Sequence, residues 1–192
     1  MESSTLYSIG HGNKTMDAFL EELKFFEISY LIDIRSKPYS RYNPQFNKEQ
    51  LQISLKNNHI VYAYMGDVLG GLPEDASCYT NGHVDYDKLK EKDFFKAGLQ
   101  RLINAASKKI KVAIMCSESN PAECHRTKLI GEELRLAGII VNHITRSKDK
   151  SGRIITKDQD AVMLEVTPNG TTDLFGNKTS FVSRKKYKEE ES

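Results

Sequence analysis

The sequence predicts an α/β protein with a mostly parallel central sheet of about five strands, helices on both faces, and a weakly structured C-terminal tail. Three observations predict it. Short, nearly continuous apolar runs alternate with stretches of helical periodicity. A length of 192 residues with 39% hydrophobic and 28% charged residues suits one domain with a real core plus a tail. The alternation fades beyond Arg146, so a single α/β domain is expected over residues 5–146 and an extension over 147–192. No internal repeat is present.

The first run, "LYSIGHG", is a buried strand ending in glycines. Thr15 suits a helix cap, and Met16, Phe19, Leu20, Leu23 and Phe26 follow at helical spacing. "YLIDIRS" is the second strand. Asn47 with Gln50 has the form of a capping box and opens a helix through Leu51 and Leu55. "HIVYAYMG" is the third strand, and a loop rich in Gly, Pro, Asp and Asn runs from Gly66 to about Asp87. The next helix sets Phe95, Leu99, Leu102, Ile103 and Ala106 on one face. "KVAIMCS" is the fourth strand. A helix is expected over 121–137, with Asn120 as cap, Pro121 at its first position, Glu123 completing a capping box and Gly138 ending it. "IIVNHIT" is the fifth strand. In the extension, "GRII" and "AVMLEV" suggest short strands, and "SRKKYKEEES" a solvated, disordered end.

Net charge is +2, too mild to point to nucleic acid by itself. No apolar run approaches the roughly 20 residues that cross a bilayer, and the N-terminus lacks a signal-peptide pattern, so a cytoplasmic protein without membrane association is expected. Cys78, Cys116 and Cys124 should then be reduced. Three Asn-x-Ser/Thr matches, at Asn13, Asn169 and Asn177, carry little weight without secretion.

The densest chemistry lies in "IMCSESNPAECHR", residues 114–126. On a regular helix, at about 100° per residue, Arg126 shares the core face with Ile130, Leu134 and Ala137; His125 lies beside it and Cys124 points the opposite way. An inward arginine needs a partner. Ligands of open parallel sheets bind beyond the carboxyl ends of the strands. Those ends carry His11, then Asp33 and Arg35, then Asp67, then Cys116 and Glu118.

The segments "YSIGHGNKTMDAFLEEL", "LIDIRSKPYSRYNPQFNKEQL", "GDVLGG" and "MCSESNPAECHR", in that order, resemble the domain-of-unknown-function family DUF488 over about residues 6–145. Gly12 stands where that family typically has Ser after the His, and Ser117-Glu118 replaces its usual Ala-Glu. The resemblance implies a Rossmann-like fold and supplies no reaction.

Three chemistries compete for the strand ends. Cys116 faces a helix start and an arginine, which favours thiolate. However, where cysteine phosphatases and rhodanese-type sulfurtransferases close their loop with an arginine, this chain has Ala122. Cys116, Cys124, His11, His125, Asp33 and Glu118 are usable metal ligands, but they lack paired CxxC spacing and face an inward arginine. No cofactor is expected, and a bound metal is the minor reading. Anion recognition accounts for more residues. Arg35, Arg41 and Arg126 supply cations, Tyr42, Asn43 and Phe46 suit a base or sugar, and Gly70 and Gly71 allow close approach by a ligand.

The expectation is therefore a phosphate-bearing small ligand or nucleic acid, bound by His11, Arg35, Arg41, Asn43, Phe46, Gly70, Gly71 and Arg126. If the protein is an enzyme, it should be a hydrolase with Asp33, Glu118 and His125 as acid and base groups and Cys116 packed beside them. The alternatives are a non-catalytic ligand- or partner-binding module and a metal-binding protein using the same rim. In the tail, Asp173, Leu174 and Phe175 share three residues with the short peptide that docks on bacterial sliding clamps.

Overall fold

The structure, a computed structural model, describes residues 5–108, 110–167 and 179–186. Strand β1 (Thr5–Gly10) leads into helix α1 (Met16–Phe25), then β2 (Tyr30–Asp33), α2 (Lys48–Asn57) and β3 (Val61–Tyr64). The long loop that follows is more ordered than its composition suggests. It holds a short helix α3 (Gly66–Leu69), a 3-10 turn at Ala76–Cys78, a two-strand hairpin of β4 (Tyr79–Thr80) and β5 (His83–Val84), and α4 (Tyr86–Leu89). Helix α5 (Asp93–Ala106) and strand β6 (Val112–Cys116) lead to an irregular helical region ending in α6 (Glu132–Leu136). Then come β7 (Ile140–Arg146), β8 (Ile154–Asp158) and α7 (Gln159–Val166). No helix among the described residues is long and apolar enough to cross a membrane.

The six-stranded sheet has the order β3-β2-β6-β1-β7-β8. β1, β2, β3, β6 and β7 pair in parallel, and β8 adds an antiparallel edge to β7. This is the doubly wound α/β architecture, with one departure from the usual strand order: β6 lies between β1 and β2. The carboxyl ends of β1, β6 and β2 are therefore neighbours, with Gly10 opposite Cys116 and Asp33 opposite Met115.

The alternation of β6 divides the core. Val112, Ile114 and Cys116 face Phe95 and Leu102 of α5 and Leu134 of α6. Ala113 and Met115 face Phe19 and Leu23 of α1 and Leu51 and Leu55 of α2. Burying a Leu or Phe side chain fully is worth roughly 1.5–3 kcal/mol, so these two faces hold the helices to the sheet.

Four local expectations are corrected. Asn47 makes no cap hydrogen bond of its own; its Oδ1 accepts from the Ser40 backbone N–H at 2.7 Å and ties down the preceding loop. "AVMLEV" is not a strand but part of α7, because Asp158 caps it through the Ala161 N–H and Gln159, Val162 and Met163 are buried at helical spacing. The segment 183–186 is not wholly solvated. Val182 bridges Asp85, and the Ser183 N–H donates to the Val84 carbonyl, so this strap lies along the hairpin. The fourth correction, in the helix expected over 121–137, shapes the site. Asp173, Leu174 and Phe175 lie outside the described residues.

Candidate active site

Cys116 ends β6, and the chain leaves the sheet through a short loop into a 3-10 turn, Pro121–Glu123. Asn120 caps this turn by accepting from the Ala122 N–H, but its amide bonds the Glu123 side chain instead of the two forming a reciprocal box. Cys124 then adopts extended backbone (φ −112, ψ 148), and helix resumes as a π-helical turn, Arg126–Gly131, before α6. The wheel drawn for one continuous helix fails at this break. Cys124 does not point away: its Sγ lies 2.7 Å from Cys116 Sγ, and both cysteines are buried.

The widened turn is held from α7. Gln159 donates from Nε2 to the Thr127 carbonyl, and its Oε1 accepts from Nε2–H of His143. His143 accepts in turn from the Ser8 hydroxyl at 2.6 Å. Gly131 permits this, since a Cβ there would stand 2.2 Å from Gln159 Oε1.

Arg126 is fully buried, as its inward placement predicts. Its Nη1 donates to Cys116 Sγ at 2.8 Å and to the Glu118 carbonyl at 2.7 Å, and its Nη2 to the Ser119 carbonyl at 3.2 Å. The guanidinium thus organises the loop after β6 and sets its charge against Cys116 Sγ, while the Arg126 backbone N–H donates to Cys124 Sγ at 3.4 Å. Gly10 makes room for it: a Cβ there would come within 1.8 Å of the Glu118 carbonyl.

The two thiols divide one charge. Burial drives the Cys116 thiol up, and its contact with Cys124 adds to that. Burial also opposes ionisation of Cys124, but the Cys116 contact, the Arg126 charge and the Arg126 backbone N–H outweigh it and bring Cys124 down. The shifts run in opposite directions, so the pair's first proton comes off more easily than that of an ordinary cysteine and its second with more difficulty. His125 adjoins Cys124, with Nδ1 3.6 Å from Sγ. Burial lowers its pKa, against the opposing pull of Cys116 and of the Leu69 and Ile34 backbone that the ring faces.

A pocket of about 230 Å³ opens over these groups. Cys116, Cys124 and His125 line it, with Arg35, Lys37, Glu118, Arg184 and Lys185 around them. Arg184, from the C-terminal strap, reaches across to Glu118 at 3.5 Å and to Glu123.

The other expected site residues fall into two groups. Asp33 and Arg35 form a buried bidentate ion pair, at 2.9 Å from Nε and 2.6 Å from Nη2. Asp33 also accepts from the Tyr62 hydroxyl, while Arg35 donates to the Phe46 carbonyl and to His11 Nε2. Since arginine only donates, the His11 proton sits on Nδ1, bonded to the Gly12 carbonyl. Burial brings the His11 pKa down to about 4, so this ring is neutral and brings no charge to an anion. Phe46 is fully buried and stacks on His11 at 4.4 Å, so it is no platform for a base. These four residues lie at the expected edge and brace the pocket wall, with only Arg35 lining it.

The second group, Gly71 excepted, stands apart. Arg41 is exposed and stacks over Tyr42 at 5.3 Å, and Asn43 shapes the turn before Phe46; neither lines the pocket. Gly70 packs against protein, since an added Cβ would meet Ser36 Oγ at 2.3 Å, whereas Gly71 does line the pocket, beside His125, whose Nδ1 an added Cβ would meet at 3.0 Å. Asp67 is exposed and lines no part of the pocket. Among the described residues no group of three or more Cys, His, Asp or Glu side chains is placed to hold a metal ion.

Sequence reasoning missed Cys124 as a partner of Cys116, and it missed Lys37, Arg184 and Lys185. The closely spaced cysteines were the available sign of the first. Nothing local marks the strap, whose position depends on the hairpin edge.

No curated protein and no solved structure matches the chain. The family model "Domain of unknown function DUF488" matches residues 15–131, which include β2, β6, both pocket cysteines, His125 and Arg126. That span exceeds half of the 192 residues, and the chain belongs to the DUF488 family.

Proposed function

We propose that this protein is a cysteine-dependent enzyme whose working centre is the Cys116–Cys124 dithiol, acting by thiol–disulfide exchange on an anionic substrate. One observation carries the proposal: two free sulfurs 2.7 Å apart, beneath a pocket, with a buried arginine on one of them. In this scheme the pair's thiolate attacks one sulfur of a substrate disulfide, forming a mixed disulfide, and the other substrate sulfur leaves as a thiol. The second protein thiol gives up its proton and attacks the mixed disulfide. An intramolecular disulfide forms, and the second substrate sulfur is released. The protein loses two electrons and two protons, and the substrate gains them. His125 is the nearest base for the proton. Lys37, Arg184 and Lys185 at the mouth favour a phosphate- or carboxylate-bearing substrate.

The test is equilibration of the native protein in mixtures of reduced and oxidised dithiothreitol, an acid quench, and mass spectrometry. A Cys116–Cys124 disulfide should form reversibly while Cys78 remains a thiol. A pair that stays reduced under oxidising conditions, or that bridges only after denaturation, would overturn the proposal.

A second reading has its own support. His125 and the half-exposed Glu118 both line the pocket and suit acid–base hydrolysis of a phosphate-bearing ligand there. It would be favoured if the Cys116→Ser, Cys124→Ser double variant keeps most activity while Glu118→Gln loses it.

A further inference from the structure

The segment 34–48 leaves the carboxyl end of β2, forms part of the pocket rim and ends at the first residue of α2. It contains Arg35, Lys37, Arg41 and Lys48 and no Asp or Glu. Arg35 is spent on Asp33, but Lys37, Arg41 and Lys48 form no ion pair among the described residues. Tyr39 is 72% exposed and Tyr42 82% exposed. Arg41 lies over the Tyr42 ring, and Lys48 lies 4.5 Å from the Tyr64 ring.

These aromatics are not exposed because the loop is slack. Ser40 Oγ accepts from the Tyr42 and Asn43 N–H groups, Asn47 Oδ1 accepts from the Ser40 N–H, and the Lys48 N–H donates to the Pro38 carbonyl. Phe46 anchors the segment in the core. A loop tied down at so many points nevertheless holds two large rings in water beside unneutralised cations. The fold gains nothing from that exposure.

We infer that this segment is a binding surface for single-stranded nucleic acid, whose bases stack on Tyr39 and Tyr42 while Lys37, Arg41 and Lys48 meet the phosphates. Interleaved rings and cations are what a flexible polyanion with flat bases requires; a duplex, with its bases stacked inside, would engage only the cations. Lys37 belongs both to the segment and to the pocket wall, so a bound strand leads towards the sulfurs. A nucleic acid carries no disulfide, so the strand is a partner held beside the pocket and not the substrate of the exchange proposed above; the inference rests on the segment itself.

Fluorescence anisotropy with a labelled oligothymidine of about 20 nucleotides, measured on the full chain over a range of salt, tests it. Binding should weaken with salt. Tyr39→Ala and Tyr42→Ala should each weaken it on the order of tenfold, and Arg41→Gln should reduce the log–log salt slope by about 0.7. Both tyrosines are solvent-facing, so the variants should melt with the wild type. No binding at low salt would overturn the inference, as would tyrosine variants that bind normally or equal affinity for a duplex. Recruitment to phosphatidylserine vesicles through the same residues, without oligonucleotide binding, would also overturn it and mark a membrane surface. The dithiol equilibrium is measured without nucleic acid, so failure here leaves that proposal standing. Absence of the disulfide with binding retained would remove only the exchange chemistry.

Discussion

Arg126 Nη1 lies 2.8 Å from Cys116 Sγ and 2.7 Å from the Glu118 carbonyl, so one buried cation both charges the thiol pair and folds the loop above it. Removing it has two separable consequences. Arg126→Ala leaves the Glu118 and Ser119 carbonyls without that donor and opens a cavity, which should destabilise the fold by several kcal/mol in urea, on the order of 3–5. Arg126→Lys restores a charge but not the fork that reaches three acceptors, so it should recover part of the stability only. In both variants alkylation of the cysteine pair at neutral pH should slow relative to Cys78. Unchanged alkylation in a folded Arg126→Lys protein would mean the guanidinium does not set the pair's charge.

The Asp33–Arg35 pair gives a second test of what is structural here. Both side chains are buried, and the bidentate geometry with Tyr62 and Phe46 satisfies most of their polar atoms. Asp33→Asn removes the compensating charge and leaves Arg35 buried, at a cost of roughly 3–5 kcal/mol. A denaturation midpoint close to wild type would show that water reaches Arg35 and that the pair is freer to serve a ligand than its geometry indicates.

What could be read in advance, and what could not, follows from the range of the interactions. The strand runs and the α1, α2 and α5 faces depend on local periodicity, and they stand where the pattern put them. The convergence of His11, Asp33, Arg35, Cys116 and Glu118 on one edge follows from strand direction alone, because parallel strands share their carboxyl ends. The break at Cys124 was hidden because Asn120, Pro121 and Glu123 suit the start of a 3-10 turn as well as that of an α-helix. The π-helical turn is supported from outside, by Gln159 on the Thr127 carbonyl. The strap's place depends on an unpaired hairpin edge nearly 100 residues away, as the contact of Val84 with Ser183 shows. No local pattern encodes such a pairing.

Acid should unfold the protein in a defined window. Burial lowers the pKa of both His11 and His143 to about 4, against 6.5 without the fold. Below pH 6.5 the unfolded chain takes up protons at these rings while the native rings remain neutral, so stability falls as pH falls, and the loss is complete once pH passes below about 4. Each ring steepens the decline by up to ~1.4 kcal/mol per pH unit inside that window. His143→Gln should flatten the urea-midpoint profile between these limits. A variant with the wild-type slope would show that His143 is protonated in the native state.

Arg184 spans one side of the pocket through ion pairs weak enough to break. Its guanidinium is about half exposed, pairs with Glu118 at 3.5 Å and with Glu123, and belongs to a strap held on the hairpin by Ser183 and Val182. Exposed ion pairs are worth at most about 1 kcal/mol, so Arg184→Ala should leave the melting temperature nearly unchanged. The same energy, spent on access, shifts an open–closed equilibrium by up to about fivefold. Cys116 and Cys124 are each only 2% exposed and line the pocket that Arg184 borders, so a reagent approaching past Arg184 should gain from its removal. Alkylation of the pair should therefore run up to about five times faster in Arg184→Ala, with Cys78 unaffected. Raising the salt from low to about 1 M should speed the wild type towards the variant and leave the variant's rate alone, since screening removes the same contact. Equal rates in the two proteins at every salt concentration would show that the strap is a passive edge and that access to the sulfurs is set elsewhere, at Gly71 and Lys37 on the opposite rim.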